Sequence, residues 1–159
     1  STGEAIGYDN TLTRALYKAL RSSGMSVVNY GTILVTIADR DKKEALPLIR
    51  RFYNLGFNIE ATAGTANFLK KHGIRTREKA KISEGSEEIL DSMRQGYVTY
   101  VINTRDLGNI NTETDGHYIR QCAVENNITM FTARDTVRVL LDVLEEQTLM
   151  ISTIDADKE

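Results

Sequence analysis

An α/β fold is what this sequence predicts: a doubly wound three-layer sandwich built on a five-stranded parallel sheet. Three observations lead there. Five short apolar runs alternate with helix-like stretches along the chain, and such alternation builds parallel sheets through crossover helices. The runs are too apolar to leave one face of the sheet in water, which requires helices on both faces. Glycines at 24, 56, 73 and 96 close the helix-like stretches, as expected where the backbone turns left-handed at a helix end.

Each element has its own signal. Thr11–Ser23 sets Leu12, Ala15, Leu16, Ala19 and Leu20 on one helical face, with Asp9 or Asn10 as cap. It reads as a connector rather than as part of the sheet. "TILVTI" (32–37) is the first strand, and "KKEALPLIRRFYNLG" the first crossover helix, where Pro47 predicts a late start or a kink. "FNIEAT" is the second strand, followed by a helix near Thr65–His72. A weak strand around Ile74–Arg77 leads into the loop "KAKISEG" and a helix over Ser86–Gln95. "YVTYVIN" (97–103) is the strongest strand. A polar loop (104–114), a helix over Asp115–Glu125, the strand "ITMFT" (128–132), a helix over Arg134–Glu146 and a tail "QTLMISTIDADKE" complete the pattern.

Composition narrows the function. With 159 residues, 17.8 kDa, 26% charged and 41% apolar residues, the chain suits one soluble globular domain. A net charge of −2 gives no bulk attraction to nucleic acid or acidic membranes. No apolar run approaches the roughly 20 residues of a bilayer span. Cys122 is the single cysteine, so an intrachain disulfide is impossible and a cytoplasmic setting is the default. His72, His117 and that thiol are too few and too scattered for a zinc site, so no metal is expected.

Ligands of an open parallel sheet bind beyond the carboxyl ends of its strands, beside helix amino-termini. The loops there hold Lys42, then Thr62-Ala63-Gly64-Thr65, then Lys79, Lys81 and Gly85-Ser86, then Asn103-Thr104, and finally Thr132. Gly64 lets backbone N–H groups approach an anion, and the hydroxyls of Thr62 and Thr65 add donors. The helix that follows contributes about half a positive charge, and lysines supply full ones. Together these predict a phosphate site, though not a Walker loop, since "GTANFLK" lacks the Gly-Lys-Ser/Thr ending. Plainer roles stand beside each residue: helix caps for Thr65 and Thr132, solvated surface lysines for Lys42 and Lys81, and a turn start for Asn103. Cys122 shares an apolar helix face with Ile119 and Ala123 and reads as a core thiol, not a nucleophile.

Several segments together resemble a known family. "STGEAIG" (1–7) is similar to the end of the synthetase portion of the carbamoyl phosphate synthetase large subunit, where "STGEVMG" is characteristic. From about Gly31 onward the chain resembles that subunit's C-terminal allosteric domain, of methylglyoxal-synthase-like fold. "DKKEALPLIRRFYNLGFNIEATAGTANFLKKHGI", "KISEG", "YVINT" and "DGHYIRQCAVENNITMFTARDT" carry the likeness in the same order. The resemblance implies that residues 1–30 are the end of the synthetase portion plus a connector helix, and 31–159 a regulatory domain of a longer polypeptide. It implies a nucleotide effector (UMP, IMP or phosphoribosyl pyrophosphate) that controls ATP-dependent carbamoyl phosphate synthesis for pyrimidine and arginine biosynthesis.

The family's phosphate-binding positions carry over as Lys42, Thr62, Gly64, Thr65 and Lys81, and those near ribose and base as Asn103, Thr104 and Arg105. Arg105 replaces a small hydroxylated residue, which implies an altered nucleobase preference or a more anionic effector. Thr132 matches an interface threonine that works beside a tyrosine in ornithine-responsive members; Met130 stands at that tyrosine's position, which speaks against ornithine sensing. The tryptophan of acetylglutamate-sensing relatives has no counterpart. The implied partners are the rest of the large subunit and the small glutaminase subunit, with self-association left open and neither nucleic acid nor membrane involved. ATP and Mg belong to the parent enzyme, with no cofactor or catalytic residue in this stretch.

The rival reading is a methylglyoxal synthase-type lyase acting on dihydroxyacetone phosphate, which requires a carboxylate base. That family's aspartate lies in a "GGDQQ" run, whereas this chain has "EGSEEI" with Ser86 near the aspartate's place. Glu87 or Glu88 would be shifted in register, and Asp115 at a helix start is a second carboxylate with a capping role sufficient to explain it. IMP cyclohydrolase, with none of its extra segments visible, and a purely structural module are the remaining alternatives.

Overall fold

The computed structural model describes residues 18, 28–104, 115–132 and 134–157. The "STGEAIG" segment, the connector helix apart from Lys18, and Arg105 with most of the polar loop lie outside the described residues. Five strands form one parallel sheet: β1 (Thr32–Thr36), β2 (Asn58–Thr62), β3 (Thr76–Lys79), β4 (Val98–Asn103) and β5 (Thr129–Phe131), in the order β3-β2-β1-β4-β5. The chain winds outward from β1 to one edge, then returns past β1 to build the other half. That reversal leaves a switch point between β1 and β4, where α/β sheets open a crevice.

Among the described residues five α-helices cover the sheet: α1 (Lys42–Asn54), α2 (Ala63–Lys71), α3 (Glu88–Arg94), α4 (Asp115–Glu125) and α5 (Arg134–Asp157). One apolar cluster joins Ile33, Val35, Ile59, Ala61, Tyr100 and Ile102 of the sheet to α1, α2 and α5. The other joins Leu34, Val98 and Val101 to Ile89 and Met93 of α3 and Ile119 and Cys122 of α4. The doubly wound sandwich expected from the alternation is therefore present. Strand alternation assigns the faces, except in β4. There Val98 pairs with Thr32 but Tyr100 with Ile33, leaving Thr99 as an extra residue, so Val98 and Val101 reach the same side.

Four expectations need correction. The late start is absent: α1 begins at Lys42 with Pro47 inside it, exposed, so the Lys43 carbonyl it leaves unpaired is on the wet side of the helix. The β3 signal is displaced by two residues: Ile74 is fully buried ahead of the strand, and pairing with β2 runs from Thr76 to Lys79. The final helix does not stop at Glu146 but continues to Asp157, since nothing between 147 and 157 is a glycine or proline that would break it. Finally, the sheet is not apolar throughout. Asn58, Glu60 and Thr62 alternate with buried Ile59 and Ala61, and the second cluster contains no residue from β2 or β3.

Long-range ties fix the layers. Arg51 of α1 donates to Asp142 at 2.7 Å and to Glu145 at 2.6 and 3.1 Å on α5. Its bonds to Glu145 raise the guanidinium pKa further above its ordinary value. Arg134 pairs with Glu44 between the same two helices. The phenol of Tyr100, pushed up in pKa by burial, donates to the Val28 carbonyl at 2.8 Å and accepts from the Val28 N–H at 2.7 Å.

Gly31 shows how tightly β1 is entered. Its φ is +112°, and a Cβ there would meet Thr99 Oγ1 at 1.9 Å, the hydroxyl that donates to the Tyr30 carbonyl at 2.8 Å. Gly56, with φ +100°, faces open space. Gly56→Ala is expected to lose about 1–2 kcal/mol from backbone strain alone. Gly31→Ala should lose about 1 kcal/mol more, because the Thr99 bond must also give way. Urea unfolding of the two variants checks the order; equal midpoints would count against the close approach at Thr99.

Candidate functional site

All strands point one way, so the loops after β1, β2, β3, β4 and β5 leave from one rim. Register places their last residues side by side: Thr36 pairs with Asn103, and Thr62 with Lys79. The centre of the rim is locked. The Thr36 hydroxyl donates to Asn103 Oδ1 at 2.9 Å, the Thr104 N–H to the Thr36 carbonyl at 3.0 Å, and the Ala38 N–H to Thr104 Oγ1 at 3.1 Å. Asn103 and Thr104 are both buried. They fix the exit of β1, from which the 3-10 turn Asp39–Asp41 leads directly to Lys42.

The Thr62–Thr65 turn is where the structure and the sequence signal differ most usefully. The helix begins at Ala63, two residues before the expected start, so Gly64 and Thr65 lie in its first turn. Thr62, in extended backbone at φ −73° and ψ 164°, holds the cap position but makes no side-chain cap bond. Thr65 is therefore not a cap. Both threonines are 2% exposed, and both hydroxyl oxygens are buried without a hydrogen-bond partner. Lys42 completes the arrangement: a Cβ on Gly64 would lie 3.5 Å from Lys42 Nζ, so the ammonium lies against the glycine backbone. It is held there by Asp39 Oδ1 at 2.5 Å, with only 17% of its side chain exposed.

Such a cradle presents two unmet hydroxyls, the N–H groups of a helix's first turn and one cation. The first two are donors awaiting an acceptor, and a buried polar atom left unmet is unfavourable. A tetrahedral oxyanion answers all three. The plain reading of Lys42 as a solvated surface lysine does not match its burial.

Lys79 and Lys81 reach the same rim from β3. Lys79, in register beside Thr62, lies 3.9 Å from the buried Glu60. Lys81 is half-buried at the head of the turn Ile82–Glu84. Two carboxylates fasten its loop. Glu88 accepts from the Ala80 N–H at 2.8 Å, and Asp115 accepts from Ile82 N–H at 3.1 Å and Ser83 N–H at 3.0 Å. Ser86 accepts from the Glu88 N–H at 3.1 Å, which delays the start of α3 to Glu88. Sequence reasoning missed the Asp115 fastener; residues 32 and 33 positions apart give no local signal of contact.

Thr132 stands apart. It follows β5, three strand positions from β2, or about 14 Å at the usual interstrand spacing. It is half-buried and is not part of the cradle. Cys122 is a core thiol: Asn126 donates to its sulfur at 3.4 Å, and burial pushes its pKa up. No group of three metal-ligating side chains occurs among the described residues, and none of their helices is long and apolar enough to cross a membrane.

Residues 44–132, more than half of the chain, match the family model described as the MGS-like domain. This chain belongs to the MGS-like domain family. Among solved structures, methylglyoxal synthase from Elizabethkingia anophelis is similar to it, with a TM-score of 0.60 and 17% identity over 72% of this chain and 79% of that one. At that identity the likeness shows a shared fold. Lys42 precedes the matched stretch by two residues, while Thr62, Gly64, Thr65, Lys81, Asn103 and Thr104 fall within it.

The cradle of this MGS-like domain makes a test that sets stability against binding. A buried hydroxyl without a partner costs about 1–3 kcal/mol. Thr62→Val and Thr65→Val should therefore unfold at the same or a higher temperature than the parent chain without added anion. In phosphate their gain in melting temperature should be smaller than the parent's. Variants that are less stable and equally phosphate-responsive would show that the hydroxyls are satisfied internally.

Proposed function

We propose that this MGS-like domain is the allosteric domain of a carbamoyl phosphate synthetase large subunit, binding a phosphorylated nucleotide effector (UMP, IMP or phosphoribosyl pyrophosphate). The observation that carries the reading is the pair of buried, unpartnered hydroxyls of Thr62 and Thr65 flanking Gly64 beneath the Lys42 ammonium. In this reading Lys42, Thr62, Gly64, Thr65 and Lys81 hold the phosphate. The ribose and base extend along the rim toward Asn103, Thr104 and Arg105, of which Arg105 is outside the described residues. The Thr104 hydroxyl already accepts from Ala38, so its role is to fix the turn that delivers Asp39 and Lys42. Thr132, on the far side of the switch point, serves a second region at an interface with the synthetase body.

Control follows from linkage. An effector changes a distant activity only by binding two states of the enzyme unequally, with a typical coupling of about 1–3 kcal/mol. The domain supplies the differential grip. ATP and Mg act elsewhere in the parent enzyme, which pairs with a glutaminase subunit and works in the cytoplasm.

The lyase reading has less support from the rim's carboxylates. Asp115 and Glu88 are engaged by backbone N–H groups, and Asp39 is paired with Lys42. Position 86, where the base is expected from the resemblance, is a serine. We expect no methylglyoxal from dihydroxyacetone phosphate; rapid release in a discontinuous assay would reverse this conclusion.

A thermal-unfolding panel with the three nucleotides tests the effector reading. A true ligand at about 100 times its dissociation constant should stabilise the folded state by ~2.7 kcal/mol. Lys81→Ala should abolish the response, while Lys43→Ala, at an exposed neighbour of Lys42, should leave it intact. An undiminished shift in Lys81→Ala would refute the phosphate assignment.

A further inference from the structure

Away from the rim, Glu60 poses a separate problem. It sits in the middle of β2, 3% exposed, and its Oε2 is buried without a hydrogen-bond partner. Its other oxygen is 3.7 Å from Arg77 and 3.9 Å from Lys79. Both distances exceed a hydrogen bond. A buried carboxylate oxygen without a hydrogen-bond donor is unfavourable even where nearby cations offset the group's charge. Most such groups are answered by a partner.

Glu60 also lines a cavity of about 320 Å³ that runs along β2 and β3 toward their amino ends, shared with Thr32, Asn58, Arg75, Arg77 and Tyr53. Its volume is in the range of small-molecule sites. Its charges define what fits. One carboxylate faces Arg75, Arg77 and the nearby Lys79, so the surroundings are net positive and a cationic donor would meet like charge. A neutral hydroxyl satisfies Glu60 without that repulsion, and an anionic group on the same molecule suits the arginines. Their planar forks match a carboxylate through two parallel bonds. No helix amino-terminus contributes here, unlike at the phosphate cradle.

The geometry points to a second binding site, a cavity between Glu60 and Arg77 that takes a small hydroxycarboxylate. The ligand's hydroxyl donates to Glu60 Oε2, and its carboxylate faces Arg77 and Arg75. Lys79 does not line the cavity, but it stands between the two regions, 3.9 Å from Glu60 and in register with Thr62. The site stands independently of the nucleotide reading.

Malate and succinate differ by one hydroxyl and provide the test. In amide NMR titrations of the full chain, malate should shift Asn58, Glu60 and Arg77 to saturation. Succinate should bind at least about fivefold more weakly, the lower bound for leaving a buried acceptor unmet. Glu60→Gln, close in shape, should narrow that ratio by half or more. Arg77→Gln, at an exposed position, should weaken both ligands without disturbing the fold. Equal affinities for the two acids, an unchanged ratio in Glu60→Gln, shifts confined to Gly64 and Thr65, or no shifts at all would each overturn the proposal. Failure here with a normal nucleotide response leaves the effector reading standing, and the reverse holds equally.

Discussion

The parallel pairing of β1 with β2 and with β4 is the constraint on which everything else rests. Because neighbouring strands run the same way, every connection must cross the sheet and return as a helix. Every strand therefore ends at the same rim. The unpaired N–H groups of α2, the ammonium of Lys42 and the hydroxyls of Thr62 and Thr65 meet only because of that shared polarity. The bond between Thr36 and Asn103 closes the switch point and keeps the two halves in step. With the Thr104 bonds to Thr36 and Ala38 it fixes the direction of the β1 exit, and with it Lys42.

The rim also shows how a domain divides its stability between holding itself together and holding something else. Its two apolar clusters are continuous and well covered. The unsatisfied polar atoms among the described residues are three, Glu60 Oε2, Thr62 Oγ1 and Thr65 Oγ1, and all come from β2 and the turn that follows it. Two of the three, the hydroxyls of Thr62 and Thr65, lie at the rim, where valine of the same shape would suit the isolated fold better; the proposed effector site gives those hydroxyls a use that packing does not.

Much of this was legible in the residues. The apolar runs of β1 and β4 marked the central strands, and Gly56, Gly73 and Gly96 marked helix ends, because left-handed backbone favours glycine strongly. All three have positive φ. Thr62, Gly64 and Thr65 could be singled out because a tight turn explains the glycine but not the flanking hydroxyls. What escaped was long-range. Ile74 resembles a strand residue, yet it is buried before the strand starts. The Asp115 carboxylate reaches back to Ile82 and Ser83 across the intervening strand and helix, where no periodicity marks it. The buried polar position in β2 was hidden by its own strand, whose Ile59 and Ala61 gave the expected apolar signal. The α5 helix overran its expected end since hydroxylated and β-branched residues weaken a helix without stopping it.

Lys42 occupies an unusual post: it is the first residue of α1, while its side chain reaches the first turn of α2. Two positive dipole ends thus converge on a third positive charge; Asp39 is bonded to that ammonium from a position 93% open to water, and Asp41 and Glu44 sit at the start of α1. If the proposed site binds phosphate, other oxyanions compete for it: affinities measured in phosphate or sulfate buffers would then describe an exchange of one anion for another, and chloride or zwitterionic buffers would be the proper reference medium for this domain.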